Sequence, residues 1–176
     1  MAVISAYTAF GDAGNTLVDL LRDSLTPGLI QNPEMIGLCS PADKGDLRLT
    51  VYPYSIKENR EFRRGSGMPV KSYTGYYLLT AHSKAEIQLR AFDEAAILGG
   101  AIQTLANNGI IPPSYLRGSL LQQDEELKMA QYYIAPEEMS KIWFFPNIPY
   151  KLSVGFMVWP IVLDLDAPIV GVRVSG

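Results

Sequence analysis

Apolar residues recur at helical spacing in the first third of the chain. Leu17, Leu20, Leu21 and Leu25 predict a helix over Thr16–Leu25, with Thr16 and Asp19 as a variant capping box and Pro27-Gly28 as its end. A Pro-, Gly- and Asp-rich stretch, Gln31 to Gly45, reads as a loop. From Leu47 to Ile56 the pattern changes to alternation: Leu47, Leu49 and Val51 share one face, and Arg48, Thr50 and Tyr52 the other. Pro53 has no N–H to give a ladder, so this strand is an edge there or ends there. Gly75 to Ala81 is apolar on both faces and reads as a central strand. The polar segment between them, about residues 57–74, reads as a long loop with Arg60, Arg63, Arg64 and Lys71 around Gly65-Ser66-Gly67.

The strongest helical signal follows. Ser83 and Glu86 have capping-box spacing. Ile87, Ala91, Ala95, Leu98, Ala101, Ile102 and Leu105 form an apolar stripe. Gly99-Gly100 marks a close approach of another backbone, Asn108-Gly109 a left-handed cap, and Pro112-Pro113 a stop. Leu116–Leu121 and Glu126–Ile134 read as short strands. Pro136 opens a short helix through Trp143, helped by Glu137 and Glu138 at its positive end. Lys151–Leu163 is a long strand with Leu152, Val154, Phe156 and Val158 on one face, and Ile169–Val174 a last one. Strands and helices do not alternate regularly. The expected fold class is therefore α+β: one domain over residues 1–176, a mainly antiparallel sheet, and two longer helices and one short helix packed on it, on one face.

Length fits this picture, since 176 residues make one domain that buries about 70% of its unfolded surface. A net charge of −3 argues against a dedicated nucleic-acid binder. One cysteine, Cys39, and one histidine, His82, exclude an internal disulfide and a Cys- or His-rich metal centre. The apolar runs fall far below the roughly 18–20 residues needed to span a bilayer, and no leader pattern is visible, so the expectation is a soluble chain made in the cytoplasm.

Candidate chemistry is sparse. Cys39 and His82 are a candidate nucleophile–base pair, beside the plainer reading of a loop cysteine and a histidine near a helix start. The pairs Asp43/Asp46, Glu137/Glu138 and Asp164/Asp166 lack calcium-loop spacing and read as solvated turns and a helix start. The basic run from Arg60 to Arg64 fits a phosphate or a partner's carboxylates, or else a solvated loop. The aromatic stretch Lys141–Tyr150, with Trp143, Phe145 and Tyr150, suits a packed corner first and an interface anchor second.

Several segments together resemble one family. They are Asn15–Leu21 (Asn-Thr-Leu-Val-Asp-Leu-Leu), Pro41–Leu49 (Pro-Ala-Asp-Lys-Gly-Asp-Leu-Arg-Leu), Gly75–His82, Arg90–Gly99 and Glu138–Ser153. Their order and spacing are similar to the tube-terminator, or cap, proteins of contractile, phage-tail-like injection systems, over roughly Leu17 to Val162. The resemblance implies a structural protein and no enzyme: a homo-hexameric ring on the inner tube that ends its growth and anchors the terminal sheath ring. It implies the inner tube protein and the sheath protein as partners, no nucleic acid, no membrane, no metal and no cofactor. It also implies assembly in the cytoplasm, followed by residence in a released or cell-associated particle. Larger members carry a C-terminal extension. The expected partner-contact residues are Arg60, Arg63, Arg64, Lys71, Trp143 and Tyr150. Two other readings stay open at this point, the terminator of a true phage tail and a small hydrolase or ligand-binding domain around His82.

Overall fold

The computed structural model describes residues 6–61, 70–166 and 169. Its centre is a five-stranded sheet: β1 (Ile36–Leu38), β2 (Leu49–Glu58), β3 (Val70–Ala81), β4 (Lys128–Tyr132) and β5 (Ser153–Asp164), in the order β1-β2-β3-β5-β4. All pairings are antiparallel except β1 with β2. The α+β class and the central place of β3 are as the sequence predicts. β1 lies inside the expected loop; three residues are too few for alternation to show.

Pro53 stands on an edge. β1 covers only Leu49 to Val51, so among the described residues β2 has no neighbour on that side at Pro53, and the register shifts between Pro53 and Ser55. A missing donor and a bulge both blunt an exposed strand edge against further pairing. β2 and β3 reach further than alternation suggested, so their connection is residues 59–69, of which 62–69 lie outside the described residues. The expected last strand, Ile169–Val174, also falls outside them, apart from Ile169.

Successive residues of a strand face opposite sides, and the two sides of this sheet differ. Tyr77, Leu79 and Ala81 of β3 join Leu49, Val51, Phe156 and Val158 in the main core, beneath helices α1 (Ala9–Leu25) and α2 (Ile87–Ala106). Leu78 points the other way, into a smaller cluster with Ile134, Met139 and Trp143, under the short helix α3 (Pro136–Ile142). The sequence expectation of helices on one face is therefore corrected: α1 and α2 lie on one side, and α3 with the Trp143–Ile148 segment covers the other. That side is aromatic, with Tyr54, Tyr76 and Tyr132 in sequential ring contact and Tyr52 edge-on to Phe145.

Helix boundaries differ from the sequence reading for identifiable reasons. α1 begins seven residues before Thr16, because Ala9 and Ala13 are buried and Asp12 accepts from the Thr8 hydroxyl. Thr16 is thus interior and caps nothing; its hydroxyl bonds the carbonyls of Asp12 and Tyr115. At α2, Ser83 does not cap with Glu86. Its Oγ accepts from Ala85 N and donates to Asp93, so helix geometry starts only at Ile87. The end of α2 is not a left-handed glycine either, since Asn108 closes it by donating its side-chain amide to Thr104 O. Leu116–Leu121 is not a strand but a 3-10 turn, Gly118–Gln122, entered through Gly118 at φ +53°.

The glycine pair on α2 splits in role. A Cβ on Gly100 would stand 2.5 Å from Leu29 Cδ1 and 3.0 Å from Leu25 Cδ2, whereas one on Gly99 would meet nothing within 4 Å. Gly99→Ala is expected to stabilise the protein by about 0.5–1 kcal/mol through helix propensity, and Gly100→Ala to destabilise it by about 1–3 kcal/mol through overpacking. Urea midpoints of the two variants moving in the same direction would contradict this.

Candidate functional site

The predicted contact residues fall on two separate parts of the surface. Arg60 is exposed just beyond β2, on the wall of a cleft that also includes Lys57, Glu61, Lys128, Trp159 and Pro160. Lys71 belongs to β3, and its ammonium lies 3.0 Å from Glu58 Oε1. That hydrogen bond raises the Lys71 pKa and occupies the ammonium within the protein's own β2–β3 edge. Arg63 and Arg64 lie outside the described residues.

Trp143 and Tyr150 meet on the other part. Their rings pack edge-to-face at 5.5 Å, and Trp143 packs in the same way on Phe145 at 5.2 Å. Trp143 is only 9% exposed, while Tyr150 and Phe144 stand out into solvent. The aromatic corner is thus real, with Trp143 in its interior and Tyr150 on its rim. α3 forms because Pro136 sits at its start and Met139 packs inward; it stops at Trp143, whose backbone leaves the helical region. Between α3 and the returning Ile148–Ser153 segment runs a groove of about 670 Å³, lined by Tyr133, Ile134, Met139, Trp143, Ile148 and Tyr150 among others. The Trp143 indole N–H is buried here with no acceptor.

A third surface feature lies at the start of α2. The α2 stripe is core only from Ile97 onward, where Ile97, Leu98, Ala101 and Leu105 are buried. Ile87, Leu89 and Phe92 are 74%, 60% and 78% exposed, so the first turns of α2 project beyond the body. The signal was present in the sequence: with Ile87, Leu89 and Phe92 the helix start is apolar on more than one side, which a half-buried helix does not need.

The acid–base candidates are held in structural roles. Cys39 Sγ donates to Asp43 O, and burial followed by the Asp43 charge pushes the thiol pKa up, the reverse of what activates a nucleophile. His82 Nε2 lies 3.0 Å from Thr50 Oγ1, in a buried polar cluster where Thr80 bonds Ser153. Burial, reinforced by the charges of Lys151 and Lys44, brings the His82 pKa down to about 3. Cys39 and His82 are each bonded to other groups. Asp164 accepts from the Asp166 amide in a turn. Among the described residues no group of three or more His, Cys, Asp or Glu is placed to hold a metal ion, and no helix is long and apolar enough to cross a membrane.

The fold and these surfaces define a one-domain α+β protein whose unmet groups are apolar and aromatic residues on its outside. Residues 12–175 match the family described as the Pvc16 N-terminal domain, and the chain belongs to that family. It also shares its fold with a solved protein described as the sheath/tube terminator, in the extended state, of PVC, an extracellular contractile injection system. The TM-score is 0.60 at 15% identity, over 94% of this chain and 62% of that one. This chain therefore spans less than two thirds of that neighbour's length. No curated protein matches it.

Proposed function

We propose that this protein is the structural terminator of a contractile injection system's inner tube. It closes into a six-fold ring on the tube end, stops growth there and anchors the last ring of sheath. The family match over residues 12–175 carries this reading. The surface supports it physically. A ring needs two different faces on each copy, so that the contact propagates and closes by rotation, and the α2 projection and the aromatic groove are two such faces. A terminator must also refuse addition on its far side, and the free stretch of β2 lacks a donor at Pro53 and shifts register beside it, which hinders pairing of a further strand. The protein is assembled in the cytoplasm and then resides in the particle, with tube and sheath proteins as its partners and no reaction of its own. Particles from cells lacking the protein are expected to show tubes of uncontrolled length with poorly held sheath; tubes of normal, uniform length would contradict the reading.

The basic segment after β2 is assigned to that assembly, as a contact for acidic groups on tube or sheath. Reversing Arg60, Arg63 and Arg64 to glutamate together is expected to cut capping about tenfold or more, and more strongly at low salt, because rim charges act through a screened field. Unchanged tube-length distributions with the triple variant would refute this assignment.

A further inference from the structure

We propose that the basic cleft across the sheet binds an extended segment of a partner protein in which two acidic residues flank an apolar one at alternate positions. Lys57 and Lys128 take the two carboxylates, and Trp159 takes the apolar side chain. The inference deepens the assembly reading above, rests on it for the partner's presence, and names the chemistry of the segment that is held.

The cleft has a volume of about 840 Å³. Its key residues form a row across four strands. Lys57 of β2 stands opposite Thr74 of β3, and Lys128 of β4 opposite Trp159 of β5. The β3–β5 register steps from Gly75–Val158 to Tyr73–Ile161, which leaves Thr74 facing Trp159 and Pro160. Val158 and Met129 point into the main core, so their neighbours Trp159 and Lys128 point to the other side of the sheet. Neighbouring strands lie about 4.8 Å apart, so the two lysines start about 14 Å from each other with Trp159 between them. One wall is held in place by Asn59, which donates to the Ser72 hydroxyl and accepts from that of Thr74.

Charge says what the row accepts. Lys57, Arg60 and Lys128 are exposed, and among the described residues none of them has an ion-pair partner. Of the two carboxylates on the lining, Glu58 is held by Lys71, which leaves Glu61. Three cations against one open carboxylate reverse the sign of a chain whose net charge is −3. Trp159 and Pro160, both half-buried, give the cleft an apolar floor. In an extended peptide the side chains at i, i+2 and i+4 share a side and span about 13 Å, which matches the reach from Lys57 to Lys128. Acid, apolar, acid at that spacing is the pattern complementary to the row. A second copy of this chain does not supply it. The pattern occurs in the sequence at Asp19, Leu21 and Asp23, and there it is helical with Leu21 buried. A nucleic-acid strand fits less well, because one tryptophan offers one stacking platform and Glu61 lines the same cleft.

The test titrates the full chain into two fluorescein-labelled peptides of one composition, Glu-Ser-Leu-Ser-Glu and Glu-Glu-Leu-Ser-Ser, and follows their anisotropy. The alternating peptide is expected to bind about fivefold or more tighter than the rearranged one. Lys57→Glu with Lys128→Glu, both at exposed positions, is expected to weaken its binding about tenfold or more, and raising the salt from about 50 to 500 mM to weaken it as well. Equal affinity for the two peptides, or a double variant that binds as the parent does, would overturn the proposal. So would tighter binding of a labelled thymidine dodecamer than of the alternating peptide. Tube lengths in cells lacking the protein are measured alongside. Failed peptide binding beside uncontrolled tube lengths would overturn this inference and leave the terminator reading standing. Selective peptide binding beside tubes of normal, uniform length would support the site and bring down the terminator reading.

Discussion

Gly118→Val is expected to destabilise the protein by about 3–5 kcal/mol, the largest effect of any single substitution considered. Gly118 sits at φ +53°, where a side chain costs about 1–2 kcal/mol and a β-branched one more. A Cβ there would also lie 2.5 Å from Asp12 Oδ2. That carboxylate cannot simply move aside, because it accepts from the Thr8 hydroxyl and from both the amide and the hydroxyl of Ser119. It pins the Gly118–Gln122 turn to the first turns of α1. Displacing it breaks hydrogen bonds to a charged group, worth about 1.5–3 kcal/mol. Urea unfolding followed by circular dichroism would measure the loss, and a variant within 1 kcal/mol of the parent would show that the Asp12 clamp does not exist in solution.

Acid is expected to weaken the fold well before general acid denaturation, through His82. The unfolded chain takes up this proton near pH 6.5, whereas in the fold burial, with Lys151 and Lys44 nearby, brings the pKa down to about 3. Between those values the unfolded state binds a proton that the folded state refuses. Stability that is complete above pH 6.5 is therefore lost as the pH falls, at about 1.4 kcal/mol per unit and about 4 kcal/mol in all by pH 3. His82→Gln can keep a partner for Thr50 but has nothing to titrate. The difference in unfolding free energy between parent and variant should therefore change by several kcal/mol between pH 7 and pH 4, and a constant difference would refute the buried neutral imidazole.

Much of the sheet could be read from the chain because its signals are local. Alternation from Leu49, the two-sided apolar run into Ala81 and the long strand after Lys151 each need only neighbours two residues apart. What could not be read is set by distant partners. Residues 9–15 contain Gly11 and Gly14 and have weak helix propensity, yet they are helical because Ala9 and Ala13 are buried and Asp12 is bonded from Thr8 and Ser119. Leu116–Leu121 carries strand-like residues, but a turn forms there because Gly118 takes a left-handed conformation under that same carboxylate. Ser83 and Glu86 have the right spacing for a capping box, but Asp93 takes the hydroxyl.

The outer surface was half legible. Dense aromatics between Trp143 and Tyr150 marked a corner, and the structure shows a corner with a groove beside it. The extent of the α2 projection is not legible, because a 3.6-residue period tells which side of a helix is apolar, not how far the body beneath it extends. Residues 87 to 92 run past that body. The apolar residues on more than one side of the helix start mark it as unusual, but how far α2 projects is revealed only by its placement over α1 and the sheet.

The most direct measurement is electron microscopy of the purified protein mixed with isolated inner tubes, with particle mass followed in parallel by light scattering. The account predicts six-fold rings seated at one end of each tube and tubes that no longer elongate when tube protein is added. Monomers at every concentration, tubes with bare ends and undiminished elongation would contradict it.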